Sequence, residues 1–322
     1  ITYQGTQAKD TSAVYNNVET IRKEAVKLNN SYSSSGRSSG IGVGVNMSLS
    51  PDLNKGITNG GSQYTANNIT GTVNISSNRS NSNTVETIYA NGNFTNVNEV
   101  HNNTQNMIVR GFNQEGGKVT GNINNLEVTS LQNTSTTTGR SSGVSLGIPI
   151  GAGIPSLNVN ASRTNGERAF VDNQTTFIIG EGSNLTVGRA ENTGGIIGTT
   201  GTGNIRIGDY VGHDLENRDK ETTIGISVGT SGVGGRYQDN DKEGITRNTV
   251  IGNVEIGTTS GSPINRDLSK ANEITKDKSR DTGELFAESQ LIGAVLRPEE
   301  FLEKQDKALQ ELKDIGTAIK NT

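Results

Sequence analysis

The sequence predicts an all-β protein: a parallel β-helix of stacked short strands, with Gly/Ser-rich excursions leaving the stack and a helical segment at the C-terminus. Three observations carry that expectation. The first is internal repetition. Leu28-Asn29-Asn30-Ser31 followed by Gly36-Arg37-Ser38-Ser39-Gly40-Ile41 recurs as Leu131-Gln132-Asn133-Thr134 followed by Gly139-Arg140-Ser141-Ser142-Gly143-Val144. A shorter copy, Leu215-Glu216-Asn217 followed by Ile224-Gly225-Ile226-Ser227-Val228-Gly229, lacks the Gly-Arg-Ser-Ser insert. Repetition of this kind is the signature of one unit stacked several times. The second is a period of two in the aliphatic residues, and the third is a composition rich in Gly and poor in large apolar side chains.

Taken in order, Val43, Val45, Met47 and Leu49 alternate with small or polar residues. So do Val144, Leu146, Ile148 and Ile150, then Leu157 and Val159, Ile205 and Ile207, Ile224, Ile226 and Val228, and Val254 and Ile256. Alternation puts one set of side chains on each face of a strand, as in a sheet with one buried and one wet side. The runs 71–75 and 121–128 are bounded by Asn and Gly, the residue types that tolerate positive φ at tight corners. Asn on neighbouring coils is expected to form hydrogen-bonded ladders. Segments 33–40, 136–143 and 229–235 read as hairpins or flaps leaving the stack. A β-sandwich is the competing architecture, but it calls for more hairpin signals and aromatics. The division predicted is a β-helix over 1–264, a transition segment at 265–283 and amphipathic helices over 284–322. Leu285, Phe286, Leu291, Ile292, Val295 and Leu296 fit one helix. Pro298 with Glu299 and Glu300 suits the start of a second, along which Phe301, Ala308 and Ile315 fall seven apart.

Composition narrows the function classes. Only 30% of the 322 residues are hydrophobic and 4% aromatic, with 42 Gly, five Pro and no Trp. Such a chain can build a thin core of small aliphatic residues but not the thick core usual in a globular enzyme. Disorder requires low hydrophobicity without period, and the period here is regular. Absence of Cys excludes disulfides and thiolate metal sites. The net charge of −4 resides in residues 281–322, which hold nine acidic and five basic side chains, so the remainder is neutral. No basic face for nucleic acid follows. The chain starts at Ile1 and shows no leader and no apolar run of membrane-spanning length, which reads as a piece of something longer.

Chemical motifs are weak. Gly143-Val144-Ser145-Leu146-Gly147 and Gly225-Ile226-Ser227-Val228-Gly229 match the nucleophile-elbow pattern, but neither is followed by a helical pattern, and the first repeat has Gly42 in place of Ser145. Asp239-Asn240-Asp241-Lys242-Glu243-Gly244 opens like a calcium loop, yet Val250 stands where the bidentate Glu belongs. Gly117-Lys118 lacks the other residues of a phosphate loop and reads as a turn. His101 and His213 read as solvated corner residues. The reading therefore contains no catalytic residue, no metal site and no cofactor.

Leu126 to Ser135 followed by Ser141 to Pro149 resembles the haemagglutinin repeats of filamentous-haemagglutinin-like exoproteins, and so do Leu157 to Arg163 and Gly180 to Gly188. Pro263 to Asp277, with its Asn265-Arg266-Asp267-Leu268 core, is similar to the end of the second repeat region in contact-dependent growth inhibition members. The likeness covers about 25–280 and is strongest from 120 on. It implies a right-handed β-helical filament, secreted or displayed on the Gram-negative cell surface by a two-partner-secretion barrel transporter. In such filaments the repeats serve virulence by adhesion, or carry a C-terminal toxin into a target cell through its outer membrane. The implied partners are that transporter, the target-cell surface or outer membrane, and a downstream toxin domain; nucleic acid is not among them. Two other classes remain open: a receptor- or carbohydrate-binding module acting through the excursions, and a polysaccharide-cleaving β-helix, for which no carboxylate cluster stands out.

Overall fold

The computed structural model describes residues 1–51, 64–150, 155–230, 232–282 and 285–288. The chain begins with β1 (Thr2–Gln4), β2 (Gln7–Lys9), β3 (Ser12–Asn16) and β4 (Thr20–Glu24), then leaves in two long strands, β5 (Val26–Pro51) and β6 (Tyr64–Ala90). It returns as β7 (Gly92–Thr95), β8 (Asn98–Arg110), β9 (Phe112–Glu115) and β10 (Val119–Thr129), and leaves again as β11 (Asn133–Ile150) and β12 (Ser156–Phe170). The next four strands are β13 (Thr176–Ile179), β14 (Asn184–Thr193), β15 (Ile196–Thr199) and β16 (Asn204–His213). The third excursion is β17 (Leu215–Gly229) and β18 (Gly232–Thr246). The described chain ends with β19 (Thr249–Ile251), β20 (Val254–Gly261), a 3-10 turn at Leu268–Lys270, β21 (Asn272–Asp281) and β22 (Leu285–Glu288).

Three sheets result. The first is wholly parallel, in the order β1-β4-β8-β10-β14-β16-β20, with β3 also on β8. The second is parallel as well, in the order β2-β7-β9-β13-β15-β19. The third is antiparallel, β5-β6-β11-β12-β17-β18-β21, with β22 on β18. Successive passes through the parallel sheets are nineteen or twenty residues apart where nothing intervenes, as at Leu126↔Met107 and Asn184↔Asn204. Where a hairpin intervenes the separation grows, as at Thr120↔Asn184, and the pairing stays parallel and in register. Each hairpin is thus inserted between a strand of the first sheet and the next strand of the second, and the ladder closes beneath it.

The core lies between the two parallel sheets. Ile123, Val187, Ile207 and Ile256 stand opposite one another on four successive passes, and so do Ile21, Met107, Leu126, Ala190 and Tyr210. Of these only Ile256 is not fully buried. Across from them Phe177, Ile197 and Val250 form the matching row. Small-volume rows of this kind suffice because backbone pairing brings each pass within about 4.8 Å of the last.

Corners are turned by Asn and Gly, as the sequence predicts. Asn17, Asn96 and Asn103 have φ of 51°, 54° and 66°. Amide side chains on neighbouring passes bond to one another: Asn102 to Asn16 at 2.7 Å, Asn103 to Asn17 at 3.2 Å and Asn125 to Asn106 at 3.0 Å. Each bond satisfies exposed amide groups along the stacking direction. Gly117 (φ +78°) belongs to a turn, as read.

Other expectations need correction. The excursions are far longer than 33–40, 136–143 and 229–235. Segments 33–40 and 136–143 lie inside β5 and β11, and only 229–235 contains a hairpin turn. The repeated block is therefore the root and outgoing strand of each hairpin, not a coil of the stack. The helical segment over 284–322 is not found where it can be tested: residues 285–288 are strand, paired with Gly232–Gly235. Among the described residues no α-helix occurs. The rest of the predicted helical stretch lies outside the described residues. The segment 265–283 is not a mere transition, since β21 within it extends the antiparallel sheet.

Glycine has a demanding role at Gly121, where φ is +108° and an added Cβ would stand 2.0 Å from the His101 carbonyl oxygen. Gly42, on a hairpin strand, has nothing within 4 Å of such an atom. Gly121→Ala should destabilise by about 1–3 kcal/mol or more, whereas Gly42→Ala should stay within about 0.5 kcal/mol. Chemical denaturation of the two variants checks the contrast, and equal effects would refute it.

Candidate contact surface

The hairpins are fixed at their roots by the repeated asparagines. Asn133 Oδ1 accepts from the Tyr89 amide at 2.7 Å, and its Nδ2 donates to Asp172 at 2.6 Å. At the equivalent place, Asn217 is buried. Its Oδ1 accepts from the Val171 amide at 2.9 Å, and its Nδ2 donates to the Thr246 hydroxyl at 2.7 Å. Asn30, in the first copy, donates to Glu86 at 3.0 Å. Asn133 and Asn217 reach the preceding hairpin, whereas the Asn30 bond stays within its own. The Arg168 guanidinium adds a clamp on Asp172 and Asp219.

Directly opposed residues share one face of a sheet. Beyond the roots, one face carries the rows Ile41-Ile75-Leu146-Leu157 and Val144-Val159-Val228-Val233, with Val43-Val73-Ile148 farther out. The opposite face at the same level bears Gly42, Asn74, Ser145, Gly147, Asn158, Asn160, Ser227 and Gly229. The aliphatic side chains are open: Ile41 is 76% exposed, Val43 65% and Ile226 54%. Just rootward on the same face, Arg37 opposes Arg79 and Arg140 opposes Arg163. Like charges directly opposite repel. None of the four makes an ion pair among the described residues. Shallow depressions beside them are lined by Asn81, Thr138, Ser141 and Ser162. The hairpin sheet thus presents a contiguous apolar face edged by uncompensated positive charge, a feature of contact surfaces rather than of free ones.

The described residues also hold a buried charged cluster inside the stack. Lys23 Nζ lies 2.6 Å from Glu99 Oε1 and 2.5 Å from Gln114 Oε1, and Gln114 Nε2 donates to Glu99 Oε2 at 2.8 Å. The Tyr15 hydroxyl donates to Glu99 at 3.1 Å, and the His101 ring stacks on Tyr15 at 4.9 Å. Lys23, Glu99, His101 and Gln114 are wholly buried. Burial by itself would raise the Glu99 carboxyl, but the Lys23 ammonium and the His101 contact hold it to about 2. Burial lowers the Lys23 ammonium, against the pull of Glu99, and pushes the Tyr15 hydroxyl well above its ordinary value. With no opening to solvent, this cluster fixes packing and offers no route to a substrate. His101 is therefore not a solvated corner residue. His213 is exposed, 3.7 Å from Glu191.

The motif residues resolve similarly. Ser145 and Ser227 lie mid-strand in β11 and β17, where no strand-to-helix turn exists. Asp239 to Gly244 is extended within β18 and not a loop, with Asp241 and Glu243 paired to Lys276. Sequence reasoning missed the arginine pairs, because Arg37 and Arg79, or Arg140 and Arg163, meet only through hairpin register. The recurrence of Gly-Arg-Ser-Ser was the available signal.

Residues 1–144 match the family model described as hemagglutinin repeat. The match runs from the N-terminus through the first hairpin into β11, whereas the resemblance read from sequence was strongest beyond residue 120. No curated protein and no solved structure gives a significant match.

Two outcomes follow from the buried cluster. Lys23→Met leaves the Glu99 carboxylate without its counter-ion and should cost about 3–5 kcal/mol in urea unfolding. Adding Glu99→Gln to that variant should restore much of the loss. The Glu99 carboxyl is depressed on folding, so its stabilisation is complete above about pH 4.5 and is lost as pH falls toward 2. Glu99→Gln should flatten that acid limb in a pH series of unfolding midpoints, and an unchanged slope would place the acid sensitivity elsewhere.

Proposed function

We propose that this chain is a segment of a secreted or surface-displayed filamentous exoprotein of the haemagglutinin-repeat kind, non-enzymatic and mechanical in action. The two parallel sheets are the walls of a right-handed β-helical stalk, and the antiparallel sheet of hairpins is the lateral surface it offers to another cell. One observation carries the reading most: the strands on either side of each inserted hairpin still pair parallel and in continuous register. That arrangement suits a load-bearing rod with replaceable side structures. The family-model match over 1–144 supports the same class.

Export through a two-partner-secretion transporter of a Gram-negative outer membrane follows from that class. So does a placement ahead of a toxin, with the hairpins meeting the target outer membrane; Asn265 to Leu268 support this by resemblance only. A second reading, recognition of a receptor or carbohydrate by the hairpins, is favoured by the exposed rows and arginine pairs of the antiparallel sheet.

Shortening β5-β6 and β11-β12 to tight turns beyond their roots, in the full chain, should leave the far-UV β signal and protease resistance of the stack in place. Binding of the purified protein to bacterial and host cells should fall at least tenfold. Unchanged binding would leave the hairpins with no part in contact, and loss of the β signal would refute the independence of stalk and hairpins.

A further inference from the structure

Inside the stack, Lys23 on β4 and Gln114 on β9 meet across the core from the two parallel sheets, and Glu99 on β8 touches both. Lys23 Nζ lies 2.5 Å from Gln114 Oε1 and 2.6 Å from Glu99 Oε1, while Gln114 Nε2 donates to Glu99 Oε2 at 2.8 Å. One carboxylate thus holds an amine with one oxygen and the nitrogen of an amide with the other. We propose that this triad is a self-modification site, at which Lys23 and Gln114 join in an isopeptide bond and release ammonia, with Glu99 carrying the proton between them.

Donor and acceptor chemistry fixes the orientation. An ammonium only donates, so it faces the amide oxygen; a carboxylate only accepts, so it faces the amide nitrogen. The carbon to be attacked, Gln114 Cδ, is bonded to the oxygen that Nζ already touches, so packing holds the reactants together without an encounter step. First, Glu99 Oε1 takes a proton from the ammonium and frees the Nζ lone pair. Burial raises the Glu99 carboxyl and the Lys23 ammonium holds it down, while burial lowers the ammonium itself. Proton transfer therefore removes the charge that opposes it. Nζ then bonds to Cδ and the Cδ–Nε2 bond breaks. The carboxyl gives its proton to Nε2 through Oε2 and recovers one from Nζ at Oε1. Ammonia leaves, and a neutral amide and a neutral carboxyl remain where an ion pair was buried. No external reactant is consumed.

The surroundings fit the reaction. Lys23, Glu99 and Gln114 are wholly buried. The Phe94 ring lies 4.6 Å from Nζ and meets Tyr3 and Phe112 edge to face, and Gln114 stands in register between Phe94 and Phe177. Water that would hydrate the ammonium or hydrolyse the product is kept out. Replacing two buried charges by neutral groups removes the desolvation cost that the ion pair bears. Lys23 and Gln114 are 91 residues apart and flank the first hairpin, β5-β6. The bond ties the two parallel sheets together beneath that hairpin and closes a long loop, the constraint a disulfide supplies elsewhere. This chain has no cysteine with which to make one. The inference goes beyond the proposed function and does not depend on what the hairpins contact.

Intact-mass spectrometry of the full chain tests this. The protein is purified under native conditions, held at neutral pH and denatured in acid before measurement. The expected mass is one ammonia below that of the sequence, and digestion should yield one branched peptide joining the segments that contain Lys23 and Gln114. Lys23→Arg keeps the charge without the amine, and Glu99→Gln removes the proton carrier. Both should show the full mass of their sequences, with a far-UV spectrum to confirm that each is folded. The unaltered chain decides the matter even where a variant does not fold. Its full sequence mass, ammonia lost at an asparagine with Lys23 unmodified, loss of water in a Lys23–Glu99 amide, or an undiminished link in Glu99→Gln would each overturn the proposal. The acid limb predicted above for Glu99 is that of the unlinked chain, in which its carboxylate is charged. None of these outcomes depends on cell binding, so the proposed function can fail separately.

Discussion

The constraint beneath the whole molecule is closure of the backbone ladder between successive passes. Every N–H and C=O of a parallel strand must find its partner on the pass above or below, because an unpaired buried group costs as much as a lost hydrogen bond. Nineteen or twenty residues complete a pass where nothing intervenes, and parallel pairing resumes beyond each inserted hairpin. Gly117, Gly121 and the positive-φ asparagines are the means by which so short a circuit turns its corners. The thin aliphatic rows then fill whatever space the ladder leaves.

The hairpins obey a second version of the same rule. Each would expose two long unpaired edges if it stood alone, an invitation to unwanted pairing. Because they leave the stack at the same point of alternate passes, neighbouring hairpins lie side by side and pair into one antiparallel sheet. Asn133 and Asn217 tie the joints. Pairing settles the edges but leaves the faces, and the outer face is the part of the molecule whose side chains remain unsatisfied by the rest.

The buried Lys23–Glu99–Gln114 cluster shows the cost of polar residues inside so thin a core. Gln114 lies in register between Phe94 and Phe177, which interrupts an aromatic and aliphatic row. Its charged neighbours are tolerated because each polar atom except His101 Nε2 has a partner there. Such a network adds little net stability over an apolar row, and removing one member leaves a buried charge behind.

The sequence by itself determined the all-β class, the positions of corners, the amide ladders and the existence of excursions. Those are local matters: period two, residues that accept positive φ, and Gly/Ser-rich interruptions. It did not separate Ile205 and Ile207, which are buried, from Val144 and Ile226, which are open, although all four alternate identically. Nor did it show His101 as buried, or Arg140 as opposed to Arg163. Alternation says that a strand has two unlike faces and nothing about what lies against either. Only the register between strands distant in sequence decides which faces are covered, and that register belongs to the pairing of strands and not to any single strand.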